Sequence, residues 1–202
     1  VAGPPPTSAF SGISLDVAII GPGDVFGRIY HERFHDPLGF GKSKSRFSDP
    51  RRRIEANRFG LLYPGSSLKV CFLEAVLRDD RDGAAGDFPI PENELDTHRF
   101  AEVRVSEALK LIDLRGDGPI RMGIPIDVIR ASHQTLASKW SVAFNTHPEQ
   151  VDGIIYPSRL NNATNLAIYD RAIGKLEVVR VHVLRKAQDL AGVLDEFMIS
   201  IV

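Results

Sequence analysis

Phe59-Gly-Leu-Leu-Tyr-Pro-Gly-Ser-Ser-Leu-Lys-Val-Cys-Phe-Leu-Glu-Ala-Val-Leu-Arg-Asp79 is the stretch from which the rest of the chain is read. A short apolar run ends at Tyr63, and Pro64-Gly65 breaks it. Ser66 or Ser67 suits a helix N-cap, because a hydroxyl oxygen there accepts one of the unpaired N–H groups of the first turn. Leu68, Cys71, Phe72, Ala75 and Val76 then recur at helical spacing and mark one buried face. At about 100° per residue, Glu74 falls on the flank of that face, beside Cys71. Glutamate is rarely buried without a partner, so Glu74 is the first candidate for a group held in a cleft.

The chain has 202 residues, 43% hydrophobic and 25% charged, the make-up of an ordinary globular domain. Its formal net charge of −1 provides no global attraction to nucleic acid or anionic lipid. No apolar run approaches the roughly 18 residues of a membrane span, and no secretory signal pattern opens the chain, so a cytoplasmic protein is expected. One cysteine, Cys71, excludes an internal disulfide and reads as a small core residue rather than a nucleophile.

Residues 1–15, with Pro4-Pro5-Pro6, read as an extended arm without a core of its own, and 16–202 as a single domain. Strands are expected at 25–31, 98–105, 108–114, 151–156, 166–170 and 174–184, and helices from 66, over 131–145 and near the C-terminus. Arg28 and Tyr30 would share one face of the first strand. Residues 34–57 form a long polar loop with Arg46 and the run Arg51-Arg52-Arg53, which reads as solvated. Residues 78–94 read as a connection. Strands without regular helix alternation predict an α+β fold with mixed or antiparallel sheets.

Several chemistries find no support in the pattern. Gly21-Pro-Gly23…Gly27 precedes a strand, whereas a dinucleotide fingerprint follows one. His31 and His35 are four apart but lie beside a Pro- and Gly-bearing loop, and the other histidines are scattered, so no metal is expected. Tyr156-Pro-Ser-Arg-Leu160 is not a nucleophile elbow. What remains is Arg28, Tyr30, Arg46, Tyr63, Glu74 and Ser158. Two arginines suit a pyrophosphate, a tyrosine offers a flat face to an aromatic ring, and a carboxylate can stabilise positive charge at an anomeric carbon.

These residues carry a resemblance. Arg28-Ile-Tyr30, Ser45-Arg46-Phe47, Leu62-Tyr63 with Phe72-Leu-Glu74, and Ile155-Tyr-Pro-Ser158-Arg, in this order, are similar to the RES-domain family, which is named for an Arg, a Glu and a Ser. The resemblance implies a fold like that of ADP-ribosyltransferases. It also implies a bacterial toxin that consumes NAD+ as NAD+ glycohydrolase, phosphorylase or ADP-ribosyltransferase, often paired with an Xre-like antitoxin. On that footing Arg28 and Arg46 would grip the phosphates, Tyr63 with Tyr30 would pack on nicotinamide or ribose, Glu74 would stabilise the transition state, and Ser158 would fix the nicotinamide side. Glu74, Arg28 and Ser158 are the expected catalytic set, and NAD+ is a substrate with no further cofactor. The rival readings are a nucleotide-binding module without catalysis and a nucleic-acid binder using Lys42, Lys44 and Arg51 to Arg53.

Overall fold

Alternation along the strands sorts their side chains into layers. A computed structural model describes residues 3–51, 54, 57–78 and 80–202. Its strands are β1 (Val17–Ile20), β2 (Val25–His31), β3 (Leu61–Leu62), β4 (Phe88–Ile90), β5 (His98–Val105), β6 (Leu109–Asp113), β7 (Gly153–Pro157), β8 (Thr164–Tyr169), β9 (Leu176–Val183) and β10 (Ile199–Ile201). The α-helices are α1 (Leu68–Phe72), α2 (Glu92–Asp96), α3 (Gly118–Arg121), α4 (Asp127–Arg130), α5 (Thr135–Asn145) and α6 (Leu190–Glu196).

One sheet runs β1-β6-β7-β8-β3, a second runs β2-β5-β9, and β10 lies beside β4. β6 and β7 are parallel and every other pair in the two larger sheets is antiparallel. The parallel pair requires a crossover, which α3, α4 and α5 supply. The fold is therefore α+β with mixed sheets, as expected.

Leu111, Ile155, Leu166 and Ile168 of the larger sheet meet Tyr30, Ala101 and Val103 of the smaller in one buried layer. Their alternates Ile112, Ile154, Ala167 and Tyr169 face Trp140 and Phe144 of α5. On the outer side of the smaller sheet, Ile29 packs with Val70 and Phe72 of α1 and with Val193 of α6. The order is helix, sheet, sheet, helix.

The N-terminal arm is laid along α5 rather than extended away from the domain. Phe10 is buried edge-on against Trp140 at 5.0 Å, and the indole Nε1 donates to the Pro4 carbonyl at 3.1 Å. The segment read as a plain connection contains β4 and the start of α2. Their pairing partner, β10, is more than 100 residues distant along the chain, and local sequence carries no sign of it.

Candidate active site

Gly65 sits where the two sheets join. Its N–H and C=O exchange bonds with Gly27, both at 2.8 Å, and it also bridges to Asn165 of β8. A Cβ at Gly65 would lie 2.7 Å from Val70 Cγ1 and 2.9 Å from Cys71 Sγ. Glycine is therefore what lets α1 press onto this seam. The hydroxyl of Ser67 caps the helix by accepting from the Val70 N–H at 3.3 Å.

The helix changes pitch at the point that matters. From Leu73 to Leu77 it continues as a π-helix, closed by the Arg78 N–H to the Leu73 carbonyl at 2.7 Å. Such turns occur often at functional sites. The change alters which residues face inward: Leu73 and Leu77 are buried, whereas Ala75 and Val76, expected on the core face, are half-buried. Arg78 follows with φ 46° and ψ −130°, a backbone conformation that costs on the order of 1–3 kcal/mol for a non-glycine residue.

Glu74 projects from this turn into a cleft of about 400 Å³. Ser158 Oγ donates to Glu74 Oε1 at 2.7 Å, and Asn165 Nδ2 donates to the same oxygen at 3.0 Å. Lys44, Arg46, Arg78 and Arg159 bring positive charge to the walls, and Tyr63 and Tyr156 bring rings. Arg46 is anchored across the cleft by donation from Nη1 to the Ala131 carbonyl at 2.9 Å. The Tyr63 hydroxyl meets Ser45 Oγ at 2.8 Å and accepts from the Phe47 N–H at 3.2 Å. Burial pushes its pKa up to about 12 against those bonds and the field of Arg46. It is therefore a neutral phenol with its oxygen already engaged. Tyr156 is raised as well, again by burial first. Cys71 also lines the wall, and burial pushes its thiol up to about 12, which leaves it protonated and unsuited to attack.

The structure thus brings Glu74, Arg46 and Tyr63 together, with Ser158 directly behind the carboxylate. Ser158 is 1% exposed, and its hydroxyl bonds Glu74 rather than lining the open cleft. Arg28 and Tyr30 do not line the cleft. They share a face of β2, as expected, but the opposite one from Ile29, which does line it. The Arg28 guanidinium lies 5.4 Å from the Tyr30 ring centre, and it donates to the carbonyls of Pro37 and Gly39, the latter at 2.6 Å. Burial lowers its pKa to about 10, opposed by Tyr30 and Asp36. Arg28 therefore ties down the start of the long loop whose later residues, Lys44 to Arg46, reach the cleft. Period-two alternation assigned the shared face but could not say which face opens on the cavity.

Asn165, Arg78, Arg159 and Tyr156 were missed as site residues. Tyr156 and Arg159 lie in the stretch Ile155-Tyr-Pro-Ser158-Arg quoted above, and Asn165 carried a signal of its own: an amide is out of place beside the apolar run Leu166-Ala-Ile-Tyr169 of β8. Arg51 pairs with Asp49 at 2.9 Å, whereas Arg52 and Arg53 lie outside the described residues. Among the described residues no three His, Cys, Asp or Glu side chains gather as a metal would require, and no helix is long and apolar enough to cross a membrane.

The RES domain matches residues 25–191. A probable toxin, y4kH of Sinorhizobium fredii, is 43% identical over 127 residues, which make up 62% of this chain and the whole of that protein. The crystal structure of the M. tuberculosis MbcT-MbcA toxin-antitoxin complex contains a chain of similar fold, with TM-score 0.59 and 16% identity, covering 89% of this chain and 91% of that one.

Proposed function

Because the chain belongs to the RES domain family, we propose that it is a toxin that consumes NAD+ by breaking the bond between nicotinamide and ribose. The observation that carries this reading is the Glu74 carboxylate, held through one oxygen on the wall of a cleft whose other charged groups are cationic. A diphosphate suits Arg46 and its neighbouring cations. The neutral rings of Tyr63 and Tyr156 suit the flat faces of nicotinamide or ribose.

As the glycosidic bond lengthens, the nicotinamide nitrogen takes the bonding pair and leaves neutral, and C1′ becomes electron-poor. Glu74 opposes that positive charge and binds the ribose hydroxyls. Water, phosphate or a protein side chain then bonds C1′ and gives up its proton. Arg28 contributes by holding the loop that delivers Arg46.

The chain of similar fold from M. tuberculosis was crystallised in a toxin-antitoxin complex, which supports a protein partner for this chain too, an Xre-like antitoxin. The test is to incubate the purified chain with NAD+, with and without phosphate, and identify the products. Nicotinamide should appear, and Glu74→Gln should lower its release at least about 10²-fold, the loss typical of one such electrostatic contact. Equal release by both proteins refutes the reading.

A further inference from the structure

Glu74 is an exposed side chain on a helical turn that does nothing to fix its rotamer. A free glutamate would lose rotamer entropy on being ordered, and substrate binding would have to supply it. Two donors from another layer of the fold remove that requirement. Ser158 lies just beyond β7, and its own N–H is tied to the Ala163 carbonyl at 2.7 Å. Its Oγ accepts from the Leu160 N–H at 3.1 Å, which directs the single hydroxyl proton to Glu74. Asn165 sits within β8, opposite Tyr156, and is 4% exposed. Nothing in the packing of an apolar strand calls for an amide there. Buried amides of this kind are retained for the bonds they make, and the Nδ2 of Asn165 bonds Glu74.

Both donors meet Oε1, and among the described residues Oε2 has no hydrogen-bond partner. Both are uncharged. An arginine or lysine in their place would neutralise the carboxylate and blunt its field at the anomeric carbon, even though four such residues line the same cleft. We propose that Asn165 is a positioning residue for Glu74: with Ser158 it holds one carboxylate oxygen through neutral donors, so that the other is presented to the substrate.

The assignment of Glu74 to NAD+ cleavage is the reading this rests on, so the test separates the two. Glutamate 13C-labelled at the side-chain carboxyl is introduced into wild type, Asn165→Asp and Asn165→Ala, and the Glu74 signal is titrated without any substrate. Tyr63 and Cys71, both pushed up to about 12, and Tyr156, raised by burial, stay protonated throughout. In Asn165→Asp two carboxyls about a hydrogen bond apart must share a proton, so the Glu74 titration should rise by more than about one unit. In Asn165→Ala, which introduces no charge and less bulk, loss of a donor to the ionised form should raise it less.

On NAD+, Asn165→Ala should lower kcat about tenfold or more, as loss of a bond to a charged group implies, with KM within about twofold. The pH optimum of Asn165→Asp should move to higher pH. A Glu74 titration unmoved in both variants overturns the proposal, as does an unchanged kcat in Asn165→Ala. If wild type leaves NAD+ intact while the titrations shift as described, the clamp stands and the substrate assignment fails.

Discussion

Arg28→Ala separates two roles for the arginine that gives the family part of its name. In the structure its guanidinium holds the carbonyls of Pro37 and Gly39 and stacks near Tyr30, away from the cleft. Each bond from a charged donor is worth about 1.5–3 kcal/mol, and the cation–ring contact adds about 0.5–1 kcal/mol. Against these stands the cost of burial. The folded pKa, about 10, lies below the ordinary arginine value, so at any pH below about 10 the buried cation costs stability that alanine recovers. The net loss is about 1–3 kcal/mol, a fall in Tm of roughly 2–10 °C for a chain of this size. Amides over residues 38–46 should lose hydrogen-exchange protection at the same time, and KM for NAD+ should rise because Arg46 is no longer held. Denaturant titration, exchange and steady-state kinetics on one preparation read all three. Unchanged stability and protection with a KM raised more than tenfold would refute this reasoning and return the guanidinium to the substrate.

The thiol of Cys71 should resist iodoacetamide at pH 8 in the native protein and react at once in denaturant, and Cys71→Ala should retain nicotinamide release. Gly65→Ala should cost about 1–3 kcal/mol by overpacking, because its Cβ meets Val70 and Cys71 below 3 Å, and should lower kcat by displacing the turn that carries Glu74. In acid, Asp49 and Asp113 set the direction: burial pushes each carboxyl up, but bonds from Arg51 and Arg115 outweigh it and leave both below the usual range. Their contribution is complete above the unfolded pKa, about 4, and is lost as pH falls through the folded values. The denaturation midpoint should therefore drop between about pH 5 and pH 3, and Asp49→Asn should flatten that dependence.

The strands and the helix bearing Glu74 were legible because period-two and helical spacing are local properties, and Ser67 caps where the sequence placed a cap. The π-turn was not, since one extra residue in a turn leaves the apolar pattern almost intact while moving Ala75 and Val76 to the edge of the core and Leu73 and Leu77 into it. Which face of β2 opens on the cleft depends on how α1 crosses the sheet seam, a fact about packing rather than about 25–31. Arg28 and Tyr30, read from the strand alone, could not be placed relative to the cleft on that account. Arg78 and Arg159 reach the site from a strained helix end and a turn; nothing around Arg78 marks it, and Arg159 closes the stretch Ile155-Tyr-Pro-Ser158-Arg without being read as a site residue. The pairing of β10 with β4 joins distant segments with no composition in common.

The five-residue turn from Leu73 to Leu77 makes this part of the molecule intolerant of length change. An α-helix closes its ring with one residue fewer, so deleting any one residue of the turn would let the spiral relax to its ordinary pitch. Everything beyond would then swing by about 100°. Arg78 would leave its unusual backbone conformation and the cleft wall together. Natural variants of this protein should therefore keep the length of the segment between Phe72 and Arg78 fixed, and a length polymorphism confined to these few codons would inactivate the chain and, by turning Leu77 out of the core, destabilise it as well.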